Sequence, residues 1–334
     1  MIDNLCVVIP VYNDWVSLKV LLGCLNEVAK SLETNVFVVI VDDGSTEPMD
    51  SSISDLSAHT SLLGIEVVHL AVNVGHQRAT AIGLCVAVDD HNLDAALVMD
   101  GDGEDSPESI ATLLKNAEGR KDYCIVAQRG KRMEGTSFIL SYLVYKGAFR
   151  LLTGKGISFG NFSLISRGYL RRLVMISELW NNYPAAILLS RLPIDYVPID
   201  RGRRYAGISK INIVSHVLHG LSCISVYSNA VFVRMLLLTI AMTSLTTISV
   251  ATTFFLRLLH PQYAALGWAM AVSLGMIIIL MQFFFTVLLL ILMLLSRRVQ
   301  RSVLPLMEYR PYIASKQLVA GRVLISEGSK GSEA

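Results

Sequence analysis

Residues 100–105, DGDGED, contain four carboxylates within six positions. Carboxylates at alternate positions of a turn can converge on one divalent cation, and Mg²⁺ and Mn²⁺ favour such oxygen ligands while keeping positions open for phosphate. A metal held in this way would neutralise the charge that develops on a departing diphosphate. Asp100, Asp102 and Glu104 are therefore predicted to hold Mg²⁺ or Mn²⁺. An ordinary Asp- and Gly-rich turn has the same composition, so the other loops must support this interpretation.

Two earlier polar segments have side chains suited to binding a nucleotide. Residues 42–45 read DDGS, and a carboxylate there could accept hydrogen bonds from a base or from a ribose hydroxyl. Residues 10–14 read PVYND, in which Tyr12 could stack on a base. Both segments have a simpler interpretation, because Asp, Asn, Ser and Gly also form turns and cap helices.

Short apolar runs alternate with helical patterns in the first part of the chain and must position these loops. Helices are predicted between the strands, and the strands themselves are predicted at residues 5–11, 36–41, 65–70, 95–99 and 123–127. Continuous apolar strands separated by helices indicate an α/β fold with a mostly parallel sheet covered on both faces. In such sheets ligands bind beyond the carboxyl ends of the strands, which is where all three polar loops lie.

The second part of the chain contains two long stretches without a charged residue, 235–256 and 267–295. Each is longer than the roughly 20 residues that span a bilayer. Arginines lie outside both stretches, whereas the loop between them holds one, so the positive-inside rule places both flanks in the cytoplasm. We therefore expect an integral membrane protein with a two-helix hairpin.

The remaining segments complete the expected domain division. Residues 1–210 form the predicted cytoplasmic domain, and residues 296–334 a cytoplasmic C-terminal tail. Residues 138–152 and 211–233 are apolar but interrupted by polar side chains, which is typical of helices that lie in the headgroup region. Simple packing of these two helices on the domain is the alternative.

Overall composition excludes several classes of protein. The chain of 334 residues is 53% hydrophobic, which is high for an ordinary soluble domain. Its 29 basic and 27 acidic residues nearly balance, so we expect no nucleic-acid partner. The five cysteines include no CxxC pair, which argues against a zinc site or a disulfide framework. The start of the chain has no basic leader segment, so the first domain is expected to remain in the cytoplasm.

Taken together, the motifs resemble glycosyltransferase family 2, and within it the dolichol-phosphate mannose synthase and polyprenyl-phosphate glycosyltransferase branch. They follow the family's order over about residues 5–215 and read VVIPVYND, IVDDGSTE, NVGHQRATAIGL, MDGDGEDSPE, GNFSLISR and RYAGISK. The resemblance implies a GT-A-like domain and inverting transfer of a hexose-type sugar. The donor would be a UDP- or GDP-sugar and the acceptor undecaprenyl or dolichyl phosphate. The expected location is the cytoplasmic face of a bacterial inner membrane, with a homo-oligomer as a possible assembly.

The resemblance also implies roles for individual residues. The family's DxD motif corresponds to Asp100, Gly101 and Asp102, while Glu104 occupies a position at which mannose synthases have glutamine. Asp14 likewise replaces the family's usual glutamate. The cations of the R-x-x-G-x-S-K motif, which the family places near the phosphates, correspond to Arg204 and Lys210, with Ser209 between them. The family's nucleotide contacts correspond to Pro10, Tyr12, Asp14, Val41 and Asp43.

The acceptor explains why no general base is expected. A sugar hydroxyl must lose a proton to attack, whereas a phosphomonoester is already an oxyanion near neutral pH. Cations must then hold the acceptor in line, and Arg129 matches the family's arginine after the fifth strand. The other candidates for the acceptor phosphate are Lys131, Arg132 and Ser209, since guanidinium and ammonium groups bind phosphate well. Asp102, Arg129, Arg204 and Lys210 are therefore the expected catalytic set.

Two rival functions remain open from the sequence. The first is a membrane glycosyltransferase that acts on a hydroxyl of a glycolipid or polysaccharide. The chain has no QxxRW motif, which processive synthases of this family carry. The second is a non-catalytic membrane scaffold of the same fold, against which the intact acidic loop argues.

Overall fold

The computed structural model describes residues 2–50, 53, 61–129, 147, 149–156, 159–206, 213–259, 266–299 and 303–322. The chain divides into two compact units. The first comprises Met1–Gly135, Ile157–Val226 and Ser302–Ala334, and the second comprises Thr136–Gly156 and Tyr227–Arg301. The first unit contains the sheet, and the second contains two long apolar helices.

A single mixed sheet of eight strands forms the centre of the first unit, in the order β7-β5-β6-β4-β1-β2-β3-β8. The strands are β1 Asn4–Val11, β2 Asn35–Asp42, β3 Gly64–Leu70, β4 Ala95–Val98, β5 Cys124–Arg129, β6 Phe159–Ser166, β7 Asp195–Ile199 and β8 Ile313–Gly321. Neighbours from β4 to β3 run parallel, as do β5 and β7. In contrast, β6 is antiparallel to both of its neighbours and β8 is antiparallel to β3. The predicted α/β class is confirmed, and its sheet is mixed.

Helices cover both faces of this sheet. The described helices of the first unit are α1 Trp15–Ser31, α2 His76–Asp90, α3 Ser109–Ala117, α4 Arg167–Leu173, α5 Tyr183–Leu189, α6 Ile213–Val226 and α9 Pro305–Glu308, with 3₁₀ helices at Ser177–Trp180 and Arg310–Tyr312. One buried apolar cluster joins one face to α1 and α3. A second cluster joins the other face to α2, α4 and α5. The continuous apolar strands of the sequence are thus buried on both sides, as predicted.

The parallel register brings the predicted loops to one edge of the sheet. Val11 pairs with Asp42 at the ends of β1 and β2, and Val8 pairs with Val98 at the end of β4. Because parallel strands end at the same edge, the loops that follow β1, β2 and β4 are neighbours.

The structure contains three strands that the sequence pattern does not predict, β6, β7 and β8. Strand β6 reads FGNFSLIS and includes glycine, asparagine and serine, so it lacks a continuous apolar run. Strand β8 reads IASKQLVAG and is largely exposed, because it pairs on one side only, with β3. Its residues fall in the segment 296–334 that was expected to be a tail, so part of that segment belongs to the sheet.

Side chains on α2 fix the segment that leads into β8. The buried Tyr309 donates a hydrogen bond from its hydroxyl to Asp89 Oδ2 at 2.9 Å, and Arg310 Nη2 donates to the same oxygen at 2.7 Å. Lys316 forms an ion pair with Asp90. The C-terminal end of α2 therefore holds the returning chain.

The second unit contains α7, Ser228–Leu259, and α8, Leu266–Val299. Within them, Ser228–Leu256 and Ala271–Met293 are long and apolar enough to cross a membrane, judged by length and composition. Helix α7 begins before the predicted span at residue 235, and the predicted interfacial helix 211–233 is divided by Tyr227 into α6 and the start of α7.

The described end of the other predicted interfacial helix, 138–152, belongs to this second unit. Phe149 packs edge-on against Tyr227, with ring centroids 6.0 Å apart. Arg234 Nη1 donates to the backbone carbonyls of Arg150 at 3.2 Å and Leu151 at 2.5 Å. An arginine at the last carbonyls of a helix satisfies acceptors that have no helical partner. The start of α7 therefore caps this shorter helix.

The anchor of the returning chain predicts a change in stability. Asp89→Ala removes the acceptor of the buried Tyr309 hydroxyl and should lower the free energy of unfolding by about 1–3 kcal/mol. Denaturant unfolding of the full chain in detergent measures this. Glu27→Ala, which breaks exposed contacts with Lys30 and Asn26, is the control and should leave stability unchanged. Equal stability of the two variants would contradict the anchor.

Candidate functional site

The acidic loop that follows β4 is folded by its own carboxylates. Asp105, which is buried, accepts a hydrogen bond on Oδ2 from the backbone N–H of Asp100 at 2.9 Å. Asp102 accepts on Oδ1 from the backbone N–H of Glu104 at 3.0 Å. Gly103 has a φ of +91°, a conformation that favours glycine. The fourth carboxylate, Asp105, thus has a structural role that the composition alone did not distinguish.

Residues 201–206, which we call the arginine strap, lie directly against this loop. The backbone N–H of Gly202 donates to the carbonyl of Glu104 at 2.8 Å, and that of Tyr205 donates to the carbonyl of Asp102 at 2.9 Å. The Tyr205 ring lies over Gly103, where a Cβ would be 2.4 Å from ring carbons. The loop and the strap therefore pack closely because residue 103 has no side chain.

Arg204 of the strap joins two carboxylates from different loops. Its Nη2 donates to Asp14 Oδ2 at 2.5 Å, and its Nη1 donates to Asp102 Oδ2 at 2.9 Å. Nε donates to the carbonyl of Ala206 at 2.9 Å, which fixes the plane of the guanidinium. Arg201, in turn, forms an ion pair with Glu104. The strap thus supplies two cations, which together pair with three carboxylates of the site.

Asp100 has different partners from the other two predicted ligands. Its Oδ1 accepts a hydrogen bond from Asn161 Nδ2 at 3.2 Å and lies 3.3 Å from His76 Nε2. His76 Nε2 also lies 2.8 Å from Asn161 Nδ2, so its partner depends on whether that nitrogen carries a proton. Among the residues that the structure describes, no group of three or more His, Cys, Asp or Glu side chains is arranged to hold a metal ion.

The charges in this region shift two pKa values. Burial and the negative charge of Asp100 raise the pKa of Asp102, and the opposing charges of Arg204 and Arg201 only partly compensate. Desolvation alone would lower the pKa of His76, but the hydrogen bond and charge of Asp100, together with Asp43 and Asp102, outweigh it and raise that pKa. The site is therefore a crowded group of acids that needs positive charge.

Asp43, predicted to contact the nucleotide, also holds a neighbouring loop. Its two carboxylate oxygens accept hydrogen bonds from the backbone N–H groups of Val74 at 2.7 Å and Gly75 at 3.0 Å, and only 3% of the residue is exposed. Burial raises the pKa of Asp43 despite these bonds. Its neighbour Asp42 pairs with His69 Nδ1 at 2.8 Å.

The loop after β1 presents Tyr12 to solvent, with 43% of the residue exposed. Asn13, at a φ of +50°, accepts on Oδ1 from the backbone N–H groups of Thr46 at 2.9 Å and Glu47 at 3.0 Å. This asparagine therefore joins the loops after β1 and β2. The Tyr12 side chain is exposed, and its stacking on a base stays a prediction.

The remaining predicted residues are buried or tightly packed, or lie outside the described part of the chain. Val41 is fully buried, Pro10 is buried, and Gly101 lies tightly against Ile9 and Val11. Arg129 ends β5 in register with Ile199, and the structure describes its backbone only. Four other predicted residues lie outside the described part of the chain, the cations Lys131, Arg132 and Lys210 and the hydroxyl residue Ser209.

Several residues of the site were not predicted. Asn13, His76, Gln77, Asn161 and Arg201 all make specific contacts there. His76, Gln77 and Asn161 fall within the segments NVGHQRATAIGL and GNFSLISR. Their positions within these motifs could have suggested that they belong to the site. The partner of each side chain, however, depends on the fold.

Comparison with known proteins identifies a family domain. A model described as Glycosyl transferase family 2 matches residues 6–174. An undecaprenyl-phosphate 4-deoxy-4-formamido-L-arabinose transferase of Serratia proteamaculans is 28% identical over 177 residues, which cover 52% of this chain and 51% of the relative. An uncharacterised glycosyltransferase of Synechocystis is 26% identical over 216 residues, which cover 64% of this chain and 65% of the relative. The chain spans about half the length of the arabinose transferases it matches.

Likeness to solved structures is more distant. Mannosyl-3-phosphoglycerate synthase from Rubrobacter xylanophilus has a TM-score of 0.48 at 14% identity, covering 68% of this chain and 73% of that one. Glucosyl-3-phosphoglycerate synthase from Mycobacterium tuberculosis, solved with Mn²⁺, uridine diphosphate and phosphoglyceric acid, has a TM-score of 0.48 at 13% identity, covering 69% and 78%. Likeness at this level says nothing about the activity of this chain.

Close packing of the loop and the strap predicts a specific coupling. Gly103→Ala places a methyl group against the Tyr205 ring at a positive φ, and should lower the free energy of unfolding by about 1–3 kcal/mol. In a Tyr205→Ala background the same change should cost less, because the steric part disappears. Denaturant unfolding of the four chains measures the difference. An equal cost in both backgrounds would show that the ring does not pack on residue 103.

Proposed function

Because the chain belongs to glycosyl transferase family 2, we propose that it transfers a sugar from a nucleotide-sugar donor to the phosphate of a polyprenyl lipid. The observation that carries this proposal is the acidic loop after β4, whose Asp102 shares Arg204 with Asp14 of the loop after β1 at the carboxyl edge of the sheet. Relatives named as undecaprenyl-phosphate transferases support the lipid phosphate as acceptor.

The donor is proposed to be a UDP- or GDP-sugar bound across the loops that follow β1 and β2. Tyr12 is exposed for stacking on the base. Asp14 lies beside Arg204, near the position proposed for the diphosphate. Asp43 would act mainly by shaping the loop around Val74 and Gly75, since both of its oxygens already accept backbone hydrogen bonds.

The acidic loop fits a divalent cation by its donor set. Asp100 and Asp102 supply hard oxygen ligands from one turn, and burial together with the charge of Asp100 raises the pKa of Asp102. Mg²⁺ or Mn²⁺ bound there would neutralise charge on the leaving diphosphate. Glu104 is paired with Arg201 and Asp102 with Arg204, so each of these carboxylates would have to exchange an arginine for the cation.

Arg204 has a second role in this proposal. Before the donor binds, it balances the charges of Asp14 and Asp102. A diphosphate offers oxygens that compete for the same N–H donors, and charge-assisted bonds of this kind are strong. Arg204 would therefore exchange carboxylate partners for oxygens of the diphosphate, with Lys210 as a further proposed contact from the same sequence motif.

The acceptor needs positioning more than activation. The phosphate of the lipid is already an oxyanion at neutral pH, so one of its oxygens can attack the anomeric carbon without a general base. The bond from that carbon to the diphosphate oxygen breaks, and the configuration inverts. Arg129, Lys131 and Arg132 are proposed to hold the acceptor phosphate, with Arg129 at the end of β5.

The chain order supports an even number of membrane crossings. Strands β1 to β7 precede the two long helices and β8 follows them, yet β8 pairs with β3 in the same sheet. If α7 and α8 span a bilayer, both flanks must therefore be on one side. The flanking arginines favour the cytoplasm, so we propose a hairpin anchor in a bacterial inner membrane.

Loss of one acidic side chain should test the metal assignment. Asp102→Ala should abolish transfer from a radiolabelled nucleotide sugar to undecaprenyl phosphate with Mn²⁺ present, since the cation and Arg204 lose a common partner. Glu118→Ala, an exposed carboxylate beyond α3, is the control and should keep full activity. Activity of Asp102→Ala within a few-fold of wild type would remove the acidic loop from the chemistry.

Arg129 is expected to act on the acceptor alone. Removing a charge-assisted phosphate contact costs about 1.5–3 kcal/mol, or roughly ten- to a hundred-fold in binding. Arg129→Ala should therefore raise the KM for undecaprenyl phosphate, while the affinity for the nucleoside diphosphate, measured by calorimetry, stays unchanged. Loss of nucleotide affinity with an unchanged acceptor KM would place this arginine at the donor.

A further inference from the structure

A line of side-chain hydrogen bonds connects the start of α5 with the first carboxylate of the acidic loop. The backbone N–H of Tyr183 donates to Gln77 Oε1 at 2.7 Å. Gln77 Nε2 donates to Asn161 Oδ1 at 3.4 Å, and Asn161 Nδ2 donates to Asp100 Oδ1 at 3.2 Å. We call these four residues the amide relay. Its members come from α5, α2, β6 and the loop after β4.

The direction of every bond in the amide relay follows from its first member. A backbone N–H can only donate, so the oxygen of the Gln77 amide must face Tyr183. The nitrogen of that amide then faces Asn161 and selects its oxygen. The nitrogen of Asn161 is left to face Asp100, where it meets an acceptor.

The starting donor is available because of its place in α5. Tyr183 is the first residue of this helix, and the first N–H groups of a helix have no acceptor within it. Asn182 caps the same turn by accepting from the N–H of Ala185 at 3.0 Å. The N–H of Tyr183 is therefore committed to Gln77, in a region where Tyr183 itself is fully buried.

Burial makes the alternative arrangement unfavourable. Asn161 is only 8% exposed, so its amide exchanges few bonds with water. Were the amide reversed, its carbonyl oxygen would face the Asp100 carboxylate and its nitrogen would face that of Gln77. His76 Nε2, 2.8 Å from Asn161 Nδ2, can accept the second hydrogen of the amide when the imidazole is neutral.

We propose that Gln77 and Asn161 are positioning residues that fix the Asp100 carboxylate for the divalent cation. The inference rests on the proposed function, because it takes Asp100 as a metal ligand. Residues that orient a ligand through a hydrogen bond typically change metal affinity by 10–100-fold when they are lost. Gln77 does not contact Asp100 in this relay and acts through Asn161.

Gln77→Glu is the decisive variant, because two explanations predict opposite signs for it. Glutamate keeps an oxygen for the Tyr183 N–H but has no hydrogen for Asn161 Oδ1, so the relay is broken at its centre. Mn²⁺ affinity should then fall about ten-fold or more. If only net charge mattered, an added negative charge near the site would instead raise the affinity.

Mn²⁺ binding is measured on the full chain in detergent from the electron paramagnetic resonance signal of free Mn²⁺, with UDP and, separately, with GDP present. Arg78→Gln is the matched control, because it lowers the net charge by the same amount as Gln77→Glu and lies at the neighbouring, exposed position of α2. This variant should bind Mn²⁺ as the wild type does. Asn161→Ala removes the last donor directly and should weaken Mn²⁺ by a similar factor, which covers the case in which Gln77→Glu does not fold.

The outcomes separate the relay from the proposed function. The relay is overturned, and the metal assignment left intact, if the wild type binds Mn²⁺, Gln77→Glu binds it as tightly or more tightly, and Asn161→Ala binds it as tightly. Absence of Mn²⁺ binding to wild type with either nucleotide overturns both. Weaker binding in the two relay variants, with Arg78→Gln unaffected, supports the positioning role.

Discussion

The contact between Arg204 and the carboxylates of Asp14 and Asp102 is the interaction on which the arrangement of this site depends. Acids that are partly buried near one another must find positive charge or take up protons. The arginine strap supplies that charge, and its backbone also bonds to the acidic loop. The close approach is possible because Gly103 has no Cβ to meet Tyr205. One guanidinium thus connects the loops after β1 and β4 with a segment that follows β7.

Helix α2 links this site to the C-terminal strand. Its first residues, His76 and Gln77, belong to the network around Asp100, and the loop before it is held by Asp43. Its last turn carries Asp89, which fixes the chain as it returns to the sheet. The helix is buried along most of its length, so both ends are held by the same packed core. This organisation explains why a segment that follows two membrane-length helices belongs to the first unit.

The sequence predicted those features whose signals are local. The apolar runs that became β1 to β5, and the polar loops after β1, β2 and β4, were visible as composition and spacing. Strand β6 was missed because its Asn161 and Ser163 interrupt the apolar pattern, and both turn out to be buried polar residues with partners. Pairs of side chains that are distant in sequence are also not predicted by local patterns. Whether Glu104 meets a metal or Arg201 depends on a strap that lies far along the chain.

In the proposed reaction a lipid phosphate, not a hydroxyl, accepts the sugar. The most direct measurement incubates the purified full chain and Mn²⁺ with radiolabelled UDP- and GDP-sugars, and supplies either undecaprenyl phosphate or undecaprenol. A phosphate nucleophile needs no general base, so label should enter the lipid fraction with undecaprenyl phosphate and stay out of it with undecaprenol. Transfer to undecaprenol at a comparable rate, or no transfer to undecaprenyl phosphate from any donor, would contradict the proposed reaction.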